Sequence, residues 1–369
     1  MFLQKLRVNH FKNHQFSDLT FQKGFNILYG PNGAGKSNIL DAIHYLASAK
    51  SFLNHIDSEL INENADFFRL EAEFVDLEEK IHQLKIILQK GKRKTLEWDG
   101  KATKKISEHI GKIPLVFICP QDQHILSGGS DERRKLLDNT LSQISPVYGQ
   151  NLIEYNQVLE QRNRILKHAI EKNTSVDESL LSIYDEQMQS YSEIIFEHRQ
   201  RMIIEWESTF QNQYQEISSG SEVIQMIYKS DLSENNCIEL MKSSRQKDFI
   251  LGYTSKGLHR DDILFEFKSQ QAKKIGSQGQ QKSILIALKL SQYFFLKKHM
   301  TEVPILLIDD FHDKLDSERS RKLINLLDNA NFEQIFITDT DKDRMRKAFE
   351  DVKTDQKYYQ TNHSIIKAD

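Results

Sequence analysis

The stretch GPNGAGKS, from Gly30 to Ser37, decides the fold of this chain. Its three glycines, its lysine and its final hydroxyl fit the phosphate-binding pattern G-x-x-x-x-G-K-[ST]. The apolar run FNILY precedes it, and the helical pattern SNILDAIHYLASA begins at its last residue. Strand, loop and helix therefore follow in the order that the pattern requires, with backbone N–H groups and a helix N-terminus facing the phosphates. The stretch predicts a nucleotide site.

Each part of this loop has its own predicted role. Lys36 is expected to reach the β- and γ-phosphates during catalysis, and the Ser37 hydroxyl is expected to ligate Mg²⁺. We expect the nucleotide to contact the loop and the residue after it: Gly30, Pro31, Asn32, Gly33, Ala34, Gly35, Lys36, Ser37 and Asn38. Proteins of many classes share such a loop, so it does not by itself name a function.

Length and composition describe an ordinary soluble chain of two or three domains. It has 369 residues, of which 38% are hydrophobic and 28% charged. Two cysteines and scattered histidines give no disulfide framework and no metal spacing, which favours the reducing cytoplasm. No signal peptide and no membrane span are expected. Because the net charge is −3, any binding to nucleic acid requires a local basic patch.

Strand patterns occur at both ends of the chain. FNILY lies near the start, whereas the buried strands VPILLIDD and EQIFITDT alternate with helices near the end. One α/β sheet assembled from both ends, with inserted material between them, explains this order. We expect residues 1–130 to form the first half of a nucleotide-binding head with an antiparallel β subdomain, 131–245 a helical lobe, and 246–369 the second half of the head.

The helical lobe is predicted from apolar residues that recur every three or four positions. They are Leu181, Tyr184, Met188, Tyr191, Ile195 and Met202, with a shorter series at Leu152, Tyr155, Leu159 and Leu166. The polar stretch NTSVDES separates the two series, so we predict an antiparallel helical hairpin that projects from the globular part. Two helices packed flat on the core are the alternative. Further strands are predicted at EVIQMIY, ILGYTSKG and DILFEFKS.

Two further motifs complete the predicted site. PILLIDD ends a buried strand with Asp309, which is expected to hold Mg²⁺, and Asp310, which is expected to activate the attacking water. GSQGQQKS, residues 276–283, is called here the signature segment. It places Ser277 and Gly279 at a predicted helix N-terminus, which is a second anion site. One ATP can use both phosphate cradles only if they come from two copies of the chain.

The order of these motifs resembles that of ABC-type ATPases, and the whole chain is similar to the RecF family of the ABC/SMC-like group. The similarity rests on NHFKNH, GPNGAGKSNILDAI, PQDQHILSGGSDERRKLLD, GLHRDD, GSQGQQKS and LLIDDFHDKLDSERSRKL. It implies an ABC-type ATPase head with a helical lobe, ATP and Mg²⁺ as cofactors, and weak, DNA-stimulated ATP hydrolysis. It also implies an ATP-dependent homodimer on duplex DNA or at duplex/single-strand junctions. The expected partners are RecR and RecO, which cooperate in bringing RecA to gapped DNA during repair, replication and the SOS response.

The resemblance also assigns individual residues. Gln121 would sense Mg²⁺ and the γ-phosphate, and it is counted with the catalytic and metal-binding residues. Contacts to a nucleotide held by the other copy would come from Ser277, Gly279, Gln280 and Asp316.

Three further segments resemble the family less closely. Lys12 occurs where SMC-like relatives carry an arginine near the phosphates, although an ordinary surface lysine fits nearly as well. Thr338 and Asp339 occur where transporter ATPases carry a switch histidine, so they are the candidates for a γ-phosphate sensor. In GLHRDD, Leu258 replaces the family's usual proline, which leaves His259 and Arg260 with a structural or nucleotide-linked role.

Basic residues give the predicted DNA contacts. Two clusters fall on one predicted antiparallel β ribbon, which has Asp99-Gly100 as its turn: Lys92, Arg93 and Lys94, then Lys104 and Lys105. A solvated strand face explains either cluster alone, but two on one ribbon in an acidic protein favour phosphate contact. Arg133, Arg134 and Lys135 form a third cluster.

Three alternative functions remain at this point. Another SMC-like head would need a far longer coiled coil than this chain contains. A transporter ATPase subunit should carry the switch histidine that ITDT lacks. A small-molecule kinase would leave the signature segment unexplained.

Overall fold

The computed structural model describes the chain except for residues 55, 175, 219–222, 268–269, 312–316, 331, 363–364 and 369, and the side chains of 274, 275, 317–319 and 365. Two compact units are formed. Unit 1 comprises Met1–Asp122, Gln213–Ser219 and Lys282–Asp369, and unit 2 comprises Gln123–Asn212 and Gly220–Gln281. We expected divisions after residues 130 and 245; in the structure, residues 123–130 and 246–281 belong to unit 2, and residues 213–219 belong to unit 1.

The first sheet of unit 1 is antiparallel, with strand order β2-β1-β4-β5-β6-β7. Its strands are β1 (Phe2–Phe11), β2 (His14–Thr20), β4 (Phe67–Val75), β5 (Ile81–Gln89), β6 (Thr95–Trp98) and β7 (Lys101–Ala102). Alternate residues face the core, as in β4, where Phe68, Leu70, Ala72 and Phe74 are buried. The predicted ribbon with an Asp99-Gly100 turn is confirmed, because β6 pairs with β7 and both turn residues have positive φ.

The second sheet of unit 1 joins the two ends of the chain, as the sequence predicts. Its strands are β3 (Gly24–Tyr29), β8 (Leu115–Ile118), β12 (Ile305–Ile308), β13 (Gln334–Asp339), β14 (Gln356–Asn362) and β15 (Ile365–Ala368). They lie in the order β15-β14-β3-β13-β12-β8. All neighbours are parallel except the β14–β15 pair. The carboxyl ends of β3, β13, β12 and β8 therefore meet at one edge.

Helices pack beside this sheet. They are α1 (Lys36–Ser48), α8 (Gln278–His299), α9 (Ser317–Asn329) and α10 (Lys342–Ala348). In α1, which the sequence predicts as a helix, the apolar residues Ile39, Leu40 and Ile43 are fully buried. Continuous apolar strands such as ILLI of β12 are buried on both faces, which is usual for parallel strands covered by helices.

Unit 2 is mainly helical. It contains α2 (Gln123–Ser127), α3 (Ser130–Ile144), α4 (Pro146–Lys172), most of α5 (Glu178–Ser218), α6 (Cys237–Leu251), α7 (Ala272–Ile275) and the first residues of α8. It also contains the strands β9 (Ile224–Lys229), β10 (Asp262–Phe267) and β11 (Gln270–Gln271). The strand predicted at ILGYTSKG is wrong. Its first residues end α6, because Gly252 takes the left-handed conformation (φ 72°) that stops a helix.

The predicted helical hairpin forms from α4 and α5, but its seam is partly polar. Leu181, Met188, Ile195 and Met202 are buried as predicted, whereas Tyr184 and Tyr191 lie only half-buried beside them. The positions between the apolar residues are taken by three buried polar residues that the apolar pattern does not reveal: Asp185, Ser192 and Arg199.

Long-range ion pairs explain why the seam tolerates these polar residues. Arg162 of α4 pairs with Asp185 of α5 and with Asp248 of α6, both at 2.9 Å. Arg199 pairs with Asp138 and Asp261, both at 2.7 Å. A buried charge that is paired and hydrogen-bonded avoids the cost of an isolated one. Helix α6 thus packs against both helices of the hairpin.

Candidate nucleotide-binding site

The phosphate loop connects β3 to α1, as its sequence predicts. Gly33 and Gly35 have φ of 78° and 99°, in the left-handed region that favours glycine. Gly35 also lies close to His14: a Cβ added to Gly35 would lie 2.6 Å from the imidazole Nε2. Only glycine fits this position without displacing the histidine.

Side chains from the NHFKNH motif support the loop. The His14 Nε2 lies 3.0 Å from the Gly35 carbonyl oxygen, and its Nδ1 lies 3.2 Å from the Ser17 hydroxyl. The Asn38 amide donates to Asn13 Oδ1 at 2.7 Å. The roles of Asn13 and His14 could not be predicted from the sequence, because a contact from one strand to a later loop leaves no periodic pattern.

Lys36 lies inside the loop. Its ammonium donates to the carbonyl oxygens of Gly30, at 2.7 Å, and Pro31, at 2.9 Å. Burial lowers the pKa of Lys36, while the carboxylates of Asp310 and Asp309 oppose that change. The lysine is thus placed among the loop groups that are predicted to surround the phosphates. Among the other loop residues, Pro31, Asn32 and Gly33 are exposed, whereas Ala34 is buried.

Lys12 points to a different partner from the one that the resemblance implies. Its ammonium lies 2.6 Å from the carboxylate of Asp41, which is fully buried on α1. Asp41 also accepts hydrogen bonds from the Ser51 hydroxyl and the Phe52 N–H. Lys12 therefore ties the first strand to the helix that follows the phosphate loop.

The carboxyl ends of β12 and β13 bring acidic groups to the same edge as the loop. The Ser37 hydroxyl donates to Asp309 Oδ1 at 2.8 Å, and the Thr338 hydroxyl donates to the same oxygen at 2.6 Å. The N–H of Asp310 donates to Thr338 Oγ1 at 2.9 Å. Asp339 lies beside them and accepts from Arg344 at 2.6 Å.

These oxygens fit a magnesium site. Mg²⁺ prefers hydroxyl, carboxylate and phosphate oxygens, and Ser37 and Asp309 already meet in one contact. Gln121 lies at the same edge, because the short helix Pro120–Asp122 follows β8 directly and β8 is the neighbour of β12. Ser37, Asp309 and Gln121 would hold the ion, which neutralises developing phosphate charge when bound.

A buried ion pair anchors the segment that carries Gln121. Asp122 accepts from the Cys119 N–H at 2.7 Å and lies 3.1 Å from the ammonium of Lys289 on α8. Both charged side chains are buried. Gln121 itself is exposed, so the preceding strand and this ion pair fix its backbone position.

The signature segment forms a capping box at the start of α8. The Gln280 N–H donates to the Ser277 hydroxyl at 3.2 Å, and the Ser277 N–H donates to Gln280 Oε1 at 2.7 Å. Ser277 is exposed and Gly279 is partly exposed. The capping box thereby fixes the helix N-terminus, with the Ser277 side chain at the surface of unit 2. Asp316, the other residue predicted to act across a dimer, lies outside the described residues.

The predicted DNA-contacting residues divide into two kinds. Lys92, Arg93, Lys104 and Lys105 are exposed around β6 and β7; residues 90–105 are called here the basic ribbon. Lys94 is held instead: its ammonium donates to Asp57 at 2.6 Å, to Tyr45 and to the carbonyl of Ala49.

The third basic cluster has internal partners in unit 2. Arg133 is buried in an ion pair with Asp262, and Arg134 donates to the Asp261 carbonyl at 2.8 Å. Lys135 pairs with Glu132 at 2.7 Å. The guanidinium groups of Arg133 and Arg134 therefore already bind protein groups.

The GLHRDD motif makes several contacts within unit 2. His259 lies 3.0 Å from the Tyr155 hydroxyl and 2.9 Å from the Thr254 carbonyl oxygen, and burial lowers its pKa to about 4. Arg260 stacks over the Tyr253 ring. The motif thus fastens β10 to the helical hairpin, which agrees with the structural role among the alternatives.

Known proteins resemble this chain over nearly its whole length. Residues 2–364 match the family described as RecF/RecN/SMC N terminal domain. The DNA replication and repair protein RecF of Flavobacterium johnsoniae is 42% identical over 344 residues, covering 93% of this chain and 95% of that protein. The corresponding protein of Parabacteroides distasonis is 40% identical over 342 residues, covering 93% and 92%.

Solved structures give the same result. The recombination mediator protein RecF with ATP, from the RecFOR pathway, superimposes with a TM-score of 0.88 and 28% identity, over 100% of this chain and 97% of that one. The Smc head domain of Pyrococcus furiosus shares the fold alone, with a TM-score of 0.58 and 18% identity over 100% and 96%. Among the described residues, no helix is long and apolar enough to cross a membrane. The chain belongs to the RecF family and has the ATPase head fold of the ABC/SMC-like group.

Proposed function

We propose that this chain is an ATP-dependent DNA-binding protein of recombinational repair and replication. It closes as a homodimer on duplex DNA, or at a duplex/single-strand junction, when ATP binds. Slow, DNA-stimulated hydrolysis then resets it. It acts in the cytoplasm with RecR and RecO, brings RecA to gapped DNA and contributes to the SOS response. The names of its relatives, which place them in DNA replication and repair and in the RecFOR pathway, support this assignment.

The observation that carries the proposal is the meeting of Ser37 with Asp309 beside Lys36. These residues come from opposite ends of the sequence, yet their side chains converge at one edge of the sheet. Lys36 binds the β- and γ-phosphates, and Ser37, Asp309 and Gln121 hold Mg²⁺. Asp310 orients or activates the attacking water.

The dimer is proposed from the exposed start of α8. Ser277 and the following N–H groups form an anion site at the surface of unit 2, and they bind the γ-phosphate held by the other copy. A two-fold dimer then buries two ATP molecules. ATP favours this dimer because those contacts exist only there, whereas ADP lacks the bridging phosphate.

The decisive experiment measures mass in solution and DNA binding with ATP, ADP or no nucleotide, on duplex, single-stranded and gapped DNA. We expect the protein to dimerise and to retain DNA that contains a duplex only when the nucleotide is ATP. Equal mass and equal DNA binding in all three nucleotide states would contradict the proposal.

A further inference from the structure

One buried hydroxyl touches both carboxylate residues of the proposed site. Thr338 is fully buried at the carboxyl end of β13. Its hydroxyl donates to Asp309 Oδ1 at 2.6 Å and accepts the N–H of Asp310 at 2.9 Å. The Ser37 hydroxyl donates to that same Oδ1 at 2.8 Å. A single side chain therefore contacts the predicted metal ligand and the backbone of the predicted catalytic aspartate.

The chemistry of the groups fixes the direction of each bond. An ionised carboxylate only accepts hydrogen bonds and a backbone N–H only donates, so the single hydroxyl proton of Thr338 goes to Asp309. A hydroxyl that donates to a carboxylate makes a short, charge-assisted bond. With that proton engaged, the hydroxyl cannot donate to a γ-phosphate as the sensor suggested by the sequence.

The backbone of Asp310 adds a second reason for this contact. Its φ is +50°, in the left-handed region that residues with a Cβ disfavour, although aspartate tolerates it better than most. The bond from its N–H to Thr338 helps to hold this conformation, which sets the direction in which the Asp310 side chain leaves the strand.

We propose that Thr338 is a positioning residue that aligns both carboxylates of the site through one hydroxyl. It turns the Asp309 carboxylate towards Ser37, where Mg²⁺ is held, and it fixes the backbone from which Asp310 reaches the attacking water. This inference rests on the proposed ATPase function. Groups that orient metal ligands typically change metal affinity or activity by about 10- to 100-fold when they are removed.

The test compares three variants. Thr338→Val keeps the shape but removes the hydroxyl, whereas Thr338→Ser keeps the hydroxyl. Thr361→Val is the matched control: Thr361 is also fully buried in the same sheet, and its hydroxyl meets no hydrogen-bond partner among the described residues. Binding of a fluorescent ATP analogue is titrated with Mg²⁺, from an EDTA baseline upwards, and kcat and KM are measured separately.

We expect Thr338→Val to raise the half-saturating Mg²⁺ concentration by about 10- to 100-fold and to lower kcat, while binding in EDTA stays unchanged. Thr338→Ser and Thr361→Val should match the wild type. If Thr338→Val also matches it, the inference is wrong. If the wild type shows no response to Mg²⁺, the proposed function itself fails. Should the valine variant not fold, Thr338→Ala is compared with Thr338→Ser, and equal Mg²⁺ requirements would overturn the inference.

Discussion

The basic ribbon separates residues that stand next to each other in the sequence. Lys92 and Arg93 are exposed, whereas Lys94 is bonded to Asp57 and to the carbonyl of Ala49. We expect K92E/R93E to weaken DNA binding without changing ATP affinity. We expect K94M to leave DNA binding unchanged and to lower the free energy of unfolding by about 2 kcal/mol, because it removes a partly buried, charge-assisted contact.

The salt dependence of binding gives the magnitude. Each phosphate contact adds roughly 0.9 to the slope of log affinity against log salt concentration. If Lys92 and Arg93 contact one phosphate each, the slope falls by about 1.8 in the double variant. The ratio of wild-type to variant affinity then shrinks roughly 12-fold between about 50 and 200 mM salt. Adding K104E/K105E should lower the slope by about the same amount again.

Fluorescence anisotropy of a labelled duplex, titrated with ATP present at several salt concentrations, measures these slopes. K242E/K247E is the matched control, since it makes the same change in charge at exposed positions on α6. Equal slopes for K92E/R93E and this control would refute a DNA site on the ribbon. A changed slope for K94M would refute the division between exposed and held lysines.

Three further predictions test the site and the interior. Lys36→Met and Ser277→Arg should each abolish ATP-driven dimerisation and hydrolysis, but a mixture of the two variants should regain partial activity, because their heterodimer has one intact composite site. An inactive mixture in which the heterodimer is shown to form would count against the composite site. Asp122→Asn should lower the free energy of unfolding by roughly 3 kcal/mol in urea titrations, because it leaves Lys289 charged and buried. Adding Lys289→Met should restore most of the lost stability, and no recovery would show that the two residues are not coupled. Burial lowers the pKa of His109 to about 4, below the usual 6.5 of the unfolded chain. The unfolded state therefore binds the proton first, and the free energy of unfolding falls by about 1.4 kcal/mol per pH unit as the pH drops through this window. His109→Gln should flatten that part of the pH profile of the urea midpoint, and an unchanged profile would contradict the lowered pKa of His109.

The local parts of the site could be predicted from the sequence because each is a short contiguous pattern. The loop from Gly30 to Ser37 carries its own strand and helix signals, and Asp309 directly follows a buried strand. Parallel strands that end at one edge then bring these segments together without further information. The antiparallel ribbon was equally local, since Asp99-Gly100 marks its turn.

The polar interior could not be predicted in this way. Arg199 lies in the seam of α5 because Asp261, 62 residues away, neutralises it. Arg133 pairs with Asp262, which is 129 residues away, and Lys94 pairs with Asp57, which is 37 residues away. A lysine or arginine looks the same in the sequence whether its partner is a distant carboxylate or water. Which charges remain available for DNA is therefore a property of the tertiary structure.

The sheet that joins both chain ends has a consequence during protein synthesis. Ile27 of β3 pairs with Ile337 of β13, so β3 leaves the ribosome long before β13 has been synthesised. At roughly 5–20 residues per second, the delay is about a quarter of a minute to a minute. Throughout it, the nascent apolar strand GFNILY needs protection from pairing with other chains. A messenger that is cut short before the codons for β13 yields a polypeptide that has the complete phosphate loop but lacks Thr338 and its contact with Asp309.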